Sequence, residues 1–202
     1  LAQSLRTNKT YTIGLLIPSI DNPYFATIAS EIVFEAKRYG YTVILLDTLE
    51  DEGNESECIN TLLTRSIDGI ILVPCGERPE SLEKIDEQTP IVLIDRYFED
   101  TSLSYICTDN YRGALDGVKL LIENGHKEIL CIRGVPHSMP SKERVKGYID
   151  ALRESGFDTR SRITGNDYSI TNGYLETKLA IGSPARPTAI FALSNTIMLG
   201  AI

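Results

Sequence analysis

Short apolar runs alternate along this chain with longer stretches whose apolar positions return every third or fourth residue. The runs at 13–17, 42–47, 70–74, 91–95 and 104–108 read as strands, and their Val, Ile and Leu content suits strands covered on both faces. Between them lie a helical pattern from Pro23 to Gly40, a second over 55–66, and a short one around Leu82 and Ile85 ahead of Pro90. The rhythm then restarts. A helix is expected over 111–124, a strand over 128–133, a helix over 142–155 and a weak strand at 162–164. A helix over 172–181 follows, then a strand over 188–192 and a last helix, capped by Ser194 or Asn195, through Ile202. Strands and helices joined by short loops predict an α/β protein with doubly wound parallel sheets. Residues 128–157 repeat the order of 12–41, which predicts two like domains over 10–108 and 109–202 behind a lead-in at 1–9. The second shows about three strands, too few for a closed parallel core, and is expected to be incomplete in this chain.

The stretch 12–41 carries the first candidate chemistry. Pro18 ends the strand, and Ser19-Ile-Asp-Asn is dense in turn formers. Asp21 or Asn22 caps the helix, and Pro23 takes its first position, where a missing N–H costs nothing. Phe25, Ile28, Ala29, Ile32, Val33 and Ala36 share one helical face, and Gly40 is placed to end it. A dinucleotide loop needs glycines so that backbone can approach a pyrophosphate, and none lies between Pro18 and Phe25. Two readings of Tyr24 and Phe25 stand: first-turn packing residues, or the wall of a site for a small polar ligand with a stackable face. Asn22 fits a cap or a ligand contact equally well.

With 42% hydrophobic and 24% charged residues, the 202-residue chain has the composition of a globular protein. Its net charge of −8 argues against nucleic-acid binding by the surface as a whole. No apolar run approaches the roughly 20 residues that span a bilayer, and residues 1–7 lack the apolar core of a signal peptide. The four cysteines (Cys58, Cys75, Cys107 and Cys131) form no Cys-x-x-Cys pair, and the two histidines give no metal spacing. No metal site and no cofactor are therefore expected. Cys107 and Cys131, in apolar runs, read as buried free thiols, which suits a reducing cytoplasm. The run Glu50-Asp51-Glu52 reads as a solvated loop.

Several segments together resemble the ligand-binding region of the LacI/GalR family of bacterial transcription regulators. They are 2–7 with Ile13-Gly, Ile20-Asp-Asn-Pro-Tyr-Phe, Asp68-Gly-Ile-Ile-Leu, Val92-Leu-Ile-Asp-Arg96, and Asp109-Asn with Gly113. Gly125-His-Lys-Glu-Ile, Arg144 with Gly147-Tyr, and Pro187-Thr-Ala-Ile-Phe-Ala complete the set, in order over the whole chain. The resemblance implies two periplasmic-binding-protein-like domains hinged around an effector site. The site residues it implies are Asn22, Tyr24 and Phe25 from the first domain, and Arg144, Tyr168, Ser194 and Asn195 from the second. Arg144, whose guanidinium is a rigid fork of donors, is the strongest polar candidate. Ser194-Asn195 stands where many members carry Asn-Asp, so an amide replaces a carboxylate acceptor for sugar hydroxyls. Asp95 and Arg96 are expected to pair across the domain junction, and Asp109 and Asn110 to serve as a hinge or cap. The resemblance further implies a DNA-binding headpiece beyond this chain, joined through residues 1–9 as the end of a hinge helix. Leu5 then takes the place of the leucine wedged into operator DNA.

Three functions compete. The favoured one is a cytoplasmic, non-enzymatic regulator that binds a sugar or related metabolite, acts on operator DNA and pairs as a homodimer, with no membrane contact. A periplasmic sugar-binding protein of the same fold is the alternative. An α/β enzyme has no support, since Gly-x-Ser-x-Gly, a P-loop and a His-rich metal motif are all missing from the sequence.

Overall fold

The computed structural model describes residues 9–76, 80–157 and 162–202. The lead-in with Leu5 lies outside the described residues, apart from Lys9. By internal contacts the chain divides between Cys107 and Thr108 into two compact units.

The first unit runs β1 (Thr12–Ile17), α1 (Pro23–Arg38), β2 (Thr42–Asp47), α2 (Glu52–Leu63), β3 (Gly69–Leu72), α3 (Glu80–Asp86), β4 (Ile91–Ile94) and β5 (Ser104–Ile106). All five strands pair in parallel, in the order β2-β1-β3-β4-β5. The strand period of two sorts side chains to the two faces. Leu15 and Ile17 pack with Phe25 and Ala29 of α1, while Leu16, Leu72 and Leu93 pack with Ile59, Leu62 and Leu82 of α2 and α3. A sheet buried on both sides is what its unbroken apolar strands require.

Helix α2 begins at Glu52, three residues earlier than its apolar period suggests. Asp51 caps it, accepting from Asn54 N–H at 2.7 Å, and Glu52 and Glu55 lie in its first turn, where the helix dipole favours acids. The acidic run is thus partly a helix start rather than a solvated loop.

The second unit runs α4 (Asn110–Glu123), β6 (Ile129–Ile132), α5 (Met139–Glu154), β7 (Ile163–Thr164), α6 (Ile170–Gly182), β8 (Ala189–Ala192) and α7 (Asn195–Ala201). Its strands are parallel in the order β7-β6-β8. Ile129 and Cys131 face α4 and α5, packing with Leu115, Val118, Tyr148 and Ala151. Leu130 and Ile132 face Ile197 of α7. Cys131 is buried as expected; Cys107 is only half-buried, because the short edge strand β5 has its three residues exposed.

Helix α5 starts at Met139 rather than Lys142, with Pro140 in the first turn, where it breaks no hydrogen bond. It lies so close to α4 that a Cβ at Gly147 would sit 2.4 Å from the Tyr111 carbonyl and 2.9 Å from Leu115 N. Gly147→Ala must therefore push backbone against backbone. It should destabilise the protein by about 1–3 kcal/mol from overpacking, against the roughly 1 kcal/mol that alanine gains in a helix. Urea denaturation checks this; equal or higher stability would show that the two helices separate freely.

Candidate functional site

In a parallel sheet the loops after the strands gather at the carboxyl ends, and in each unit these loops are tied to one another. In the first unit Asn22 caps α1, its Oδ1 accepting from Tyr24 N–H at 3.1 Å. The Tyr24 hydroxyl donates to Asp95 Oδ1 at 2.7 Å, and its ring meets Phe25 edge-on with centroids 5.1 Å apart. Phe25 is 4% exposed and belongs to the core with Leu15, Ile17 and Val73. Its spacing of four from Ala29 places both on the buried stripe, so it offers almost no surface to a ligand. Of the two aromatics, Tyr24, 38% exposed, is the one that presents a surface.

Asp95 adopts φ +64°, and Arg96 N–H returns to the Ile94 carbonyl at 2.7 Å. This tight, three-residue turn is a costly conformation of the kind that gathers at functional sites. It turns Asp95 toward Tyr24 while keeping the Asp95 carboxylate 3.9 Å from Arg96 Nε. The Arg96 guanidinium forms a two-pronged pair with Glu50 at 2.6 and 2.8 Å and also reaches the Pro74 carbonyl at 3.3 Å. Asp95 and Arg96 thus find these partners inside the first unit. Glu50, expected to be solvated, is one of them. Below this tie, Thr48 Oγ1 lies 3.0 Å from Cys75 Sγ, and Cys75 N–H donates to Glu55 Oε2 at 2.7 Å. Burial pushes the Cys75 thiol up to about 12, which favours the protonated thiol over the thiolate at neutral pH.

The second unit carries a depression of about 530 Å³. Asp109, Asn110 and Gly113 at the start of α4 line it, with Arg144 of α5, residues of β8, and Leu193, Ser194 and Asn195 after that strand. Arg144 Nε donates to Asn110 Oδ1 at 2.8 Å, and Nη1 donates to the Leu193 carbonyl. Nη2 is left without a partner among the described residues. Asn110 is 3% exposed, and its Nδ2 finds no hydrogen-bond partner among the described residues. A buried donor left unmade costs about 1–3 kcal/mol, a cost that a ligand oxygen would remove. Ser194 caps α7, accepting from Ile197 N–H at 3.2 Å. Because Thr196 Oγ1 gives its proton to the Tyr168 carbonyl, the Ser194 hydroxyl donates to Thr196 Oγ1 at 3.0 Å. Asn195 Oδ1 accepts from Thr196 N–H at 3.0 Å, leaving its amide donor outward.

Arg144, Ser194 and Asn195 therefore meet at one depression, and Tyr168 stands apart from it. The Tyr168 hydroxyl donates to Ser138 Oγ at 2.7 Å, since Ser138 spends its own proton on the Val135 carbonyl. The Tyr168 ring lies on Gly134, where a Cβ would come within 2.0 Å of it. Asn110 is the functional candidate that sequence reasoning left as a hinge or cap. The pair Asp109-Asn110 held the signal: Asp109 is the cap, accepting from Arg112 N–H at 2.9 Å, which frees Asn110 for another task. Asp109 is also the sole carboxylate in the lining, so the depression is rich in donors and suits a ligand rich in acceptor oxygens. Among the described residues no three His, Cys, Asp or Glu side chains converge to hold a metal ion, and no helix is long and apolar enough to cross a membrane.

Comparison with known proteins adds an independent finding. A family described as periplasmic binding proteins and sugar binding domain of LacI family matches residues 10–202. The NTD biosynthesis operon regulator NtdR of Bacillus subtilis is 32% identical over 100% of this chain and 62% of its own length. The HTH-type transcriptional repressor CytR of Escherichia coli K12 is 31% identical over 100% of this chain and 60% of its own. This chain thus spans about three-fifths of the length of these relatives. Among solved structures, a transcriptional regulator of LacI family from Burkhoderia phymatum is similar at TM-score 0.84 and 25% identity, over 94% of this chain and 71% of that one. The Cra transcriptional dual regulator of Pseudomonas putida, in complex with fructose 1-phosphate, shares the fold at TM-score 0.87 and 21% identity, over 95% and 72%.

The tie beneath the first loops has a pH signature. Desolvation by burial raises the Glu55 carboxyl above its ordinary value of 4.5, aided by Glu52 and opposed by the Cys75 N–H and Arg96. The folded state therefore holds this proton more tightly than the unfolded chain. Its contribution is full below the unfolded value and is lost as pH rises through the folded one. Glu55→Gln keeps an acceptor for Cys75 N–H and cannot ionise. Its stability relative to wild type should rise as pH climbs from 4 toward 7, measured by urea denaturation across roughly that range. A flat difference would show that Glu55 ionises as freely as in the unfolded chain.

Proposed function

This chain belongs to the family of periplasmic binding proteins and sugar-binding domains of the LacI family, and on that premise we propose that it is the effector-sensing part of a transcriptional regulator. Relatives that match it end to end are operon regulators and repressors, which favours this reading over a periplasmic carrier of the same fold. The observation that carries it is Arg144. Its guanidinium is half spent on the protein and half available, beside the orphaned Nδ2 of Asn110 and the outward amide of Asn195. Such a donor set suits a sugar or related metabolite. Tyr24, fixed through Asp95, is the aromatic surface of the first unit that would meet the same effector.

The effector acts by binding one arrangement of the two units more tightly than another, since only differential affinity shifts a conformational equilibrium. The output is operator DNA, read by a headpiece joined at residues 1–9 with Leu5 as its wedge, in the cytoplasm. A second copy of the chain is the further partner. Val33 and Phe34, 44% and 61% exposed on α1, support an apolar contact there.

A thermal-shift screen of sugars, nucleosides and their phosphates tests the reading, because a ligand at 100 times its Kd stabilises by about 2.7 kcal/mol. Arg144→Ala should weaken the effector so found by about 1.5–3 kcal/mol, or roughly 10- to 150-fold in Kd. Tyr24→Ala should cost about 1–3 kcal/mol through lost stacking and area. An effector that binds both variants as it binds wild type would remove the site from these residues.

A further inference from the structure

A second depression in the same unit, of about 440 Å³, lies on another side of α5 from the one Arg144 serves. Arg133 and Pro136 line it with Ser141, Lys142, Val145, Lys146, Ile149, Asp150 and Arg153 of that helix. Four cations face it against the single carboxylate of Asp150, in a chain whose net charge is −8. Asp150 is shared by Arg153 at 2.5 Å, Lys146 at 3.8 Å and the Tyr111 hydroxyl at 3.2 Å. Lys142 is exposed, and its ammonium makes no hydrogen bond or ion pair among the described residues. Arg133 gives only its Nε, to the Gly165 carbonyl at 3.1 Å, so its fork of terminal donors is unspent among the described residues.

Three features point these donors at one kind of ligand. Ser138, at the N-cap of α5, makes no side-chain cap bond, because its hydroxyl is committed to Val135 and Tyr168. The first-turn amides of Met139 and Ser141, which have no partner within the helix, keep their pull on an anion. Ser141 is 1% exposed, lines the depression, and its Oγ has no hydrogen-bond partner among the described residues. A neutral apolar ligand would leave that hydroxyl and the cations unanswered. Val145 and Ile149 continue the lining as an apolar wall, so the occupant also has an organic part. The volume falls in the range of small-molecule sites.

We propose that this depression binds a small phosphate monoester, its dianion held by the first turn of α5, the Ser141 hydroxyl, Lys142 and Arg133, and its organic part lying on Val145 and Ile149. The site is separate from the one at Arg144, so a regulator built on this chain would read a second, anionic metabolite.

Calorimetric titration of the protein at fixed ionic strength with glucose 6-phosphate, glucose and inorganic phosphate tests the proposal. Glucose 6-phosphate should bind, glucose should not, and inorganic phosphate should bind about tenfold more weakly for want of the apolar contact. Lys142→Glu should abolish binding, and Ser141→Ala should weaken it roughly 5- to 10-fold. The control Lys178→Gln, on α6, should leave it unchanged. Ser141→Ala should also raise the melting temperature of the unliganded protein, since it removes an orphaned buried hydroxyl; a purely structural serine would lower it. A hexose phosphate that binds no better than inorganic phosphate, or binding that both α5 variants leave intact, would overturn the assignment. So would absence of binding at about 10 mM ligand, where even millimolar affinities register.

Discussion

The second unit depends on one guanidinium. Arg144 joins three elements distant in sequence: it stands on α5, holds Asn110 at the start of α4 and grips the Leu193 carbonyl where β8 ends. Only a side chain with several donors in a fixed plane can do this and still offer one outward. A lysine would have to choose. The tie also explains why α4 and α5 must touch: their backbones close on Gly147 one turn beyond Arg144, and a wider spacing would carry the guanidinium away from Asn110. Packing and site are thus one constraint. The same glycine that lets the helices meet sets the reach of the arginine.

The first unit solves the equivalent problem with Arg96. It binds Glu50 after β2 and Pro74 after β3 from its own place after β4, so three loops at the carboxyl edge of the sheet are held by one side chain. The adjacent Asp95, in its strained turn, fixes Tyr24 after β1. Loops ordered before a ligand arrives do not charge their ordering to the binding step, which is where much affinity is otherwise lost. Both units therefore present stiff loops from a doubly wound sheet, one offering an aromatic face and the other unspent donors.

Much of this architecture was legible in the sequence, and what was not has physical reasons. The parallel α/β fold followed from apolar runs such as 13–17 and 70–74, because strands buried on both sides cannot be written any other way. Helix starts were misjudged at Glu52 and Met139, since apolar periodicity begins only where a helix first touches the core, while caps and prolines set the true beginning. Phe25 stood between a packing residue and a ligand wall beside Tyr24, and its spacing of four from Ala29 fits the packing role that its burial shows. The Arg96–Glu50 pair, 46 residues apart, leaves no local trace. Arg144, Ser194 and Asn195 came from resemblance. Asn110, their partner, needed the structure, because nothing local shows that Asp109 alone completes the cap.

An effector that completes the half-made hydrogen bonds around Arg144 and Asn110 must change the surroundings of both side chains. Nitrogen-15 NMR of the Arg144 Nε–H and the Asn110 side-chain amide, during titration with an effector found by thermal shift, tests this most directly. Both resonances should move together and saturate at the calorimetric Kd, with the Tyr24 ring signals following the same curve. Resonances of Arg144 and Asn110 that stay in place while the ligand stabilises the protein would contradict this role for the two side chains.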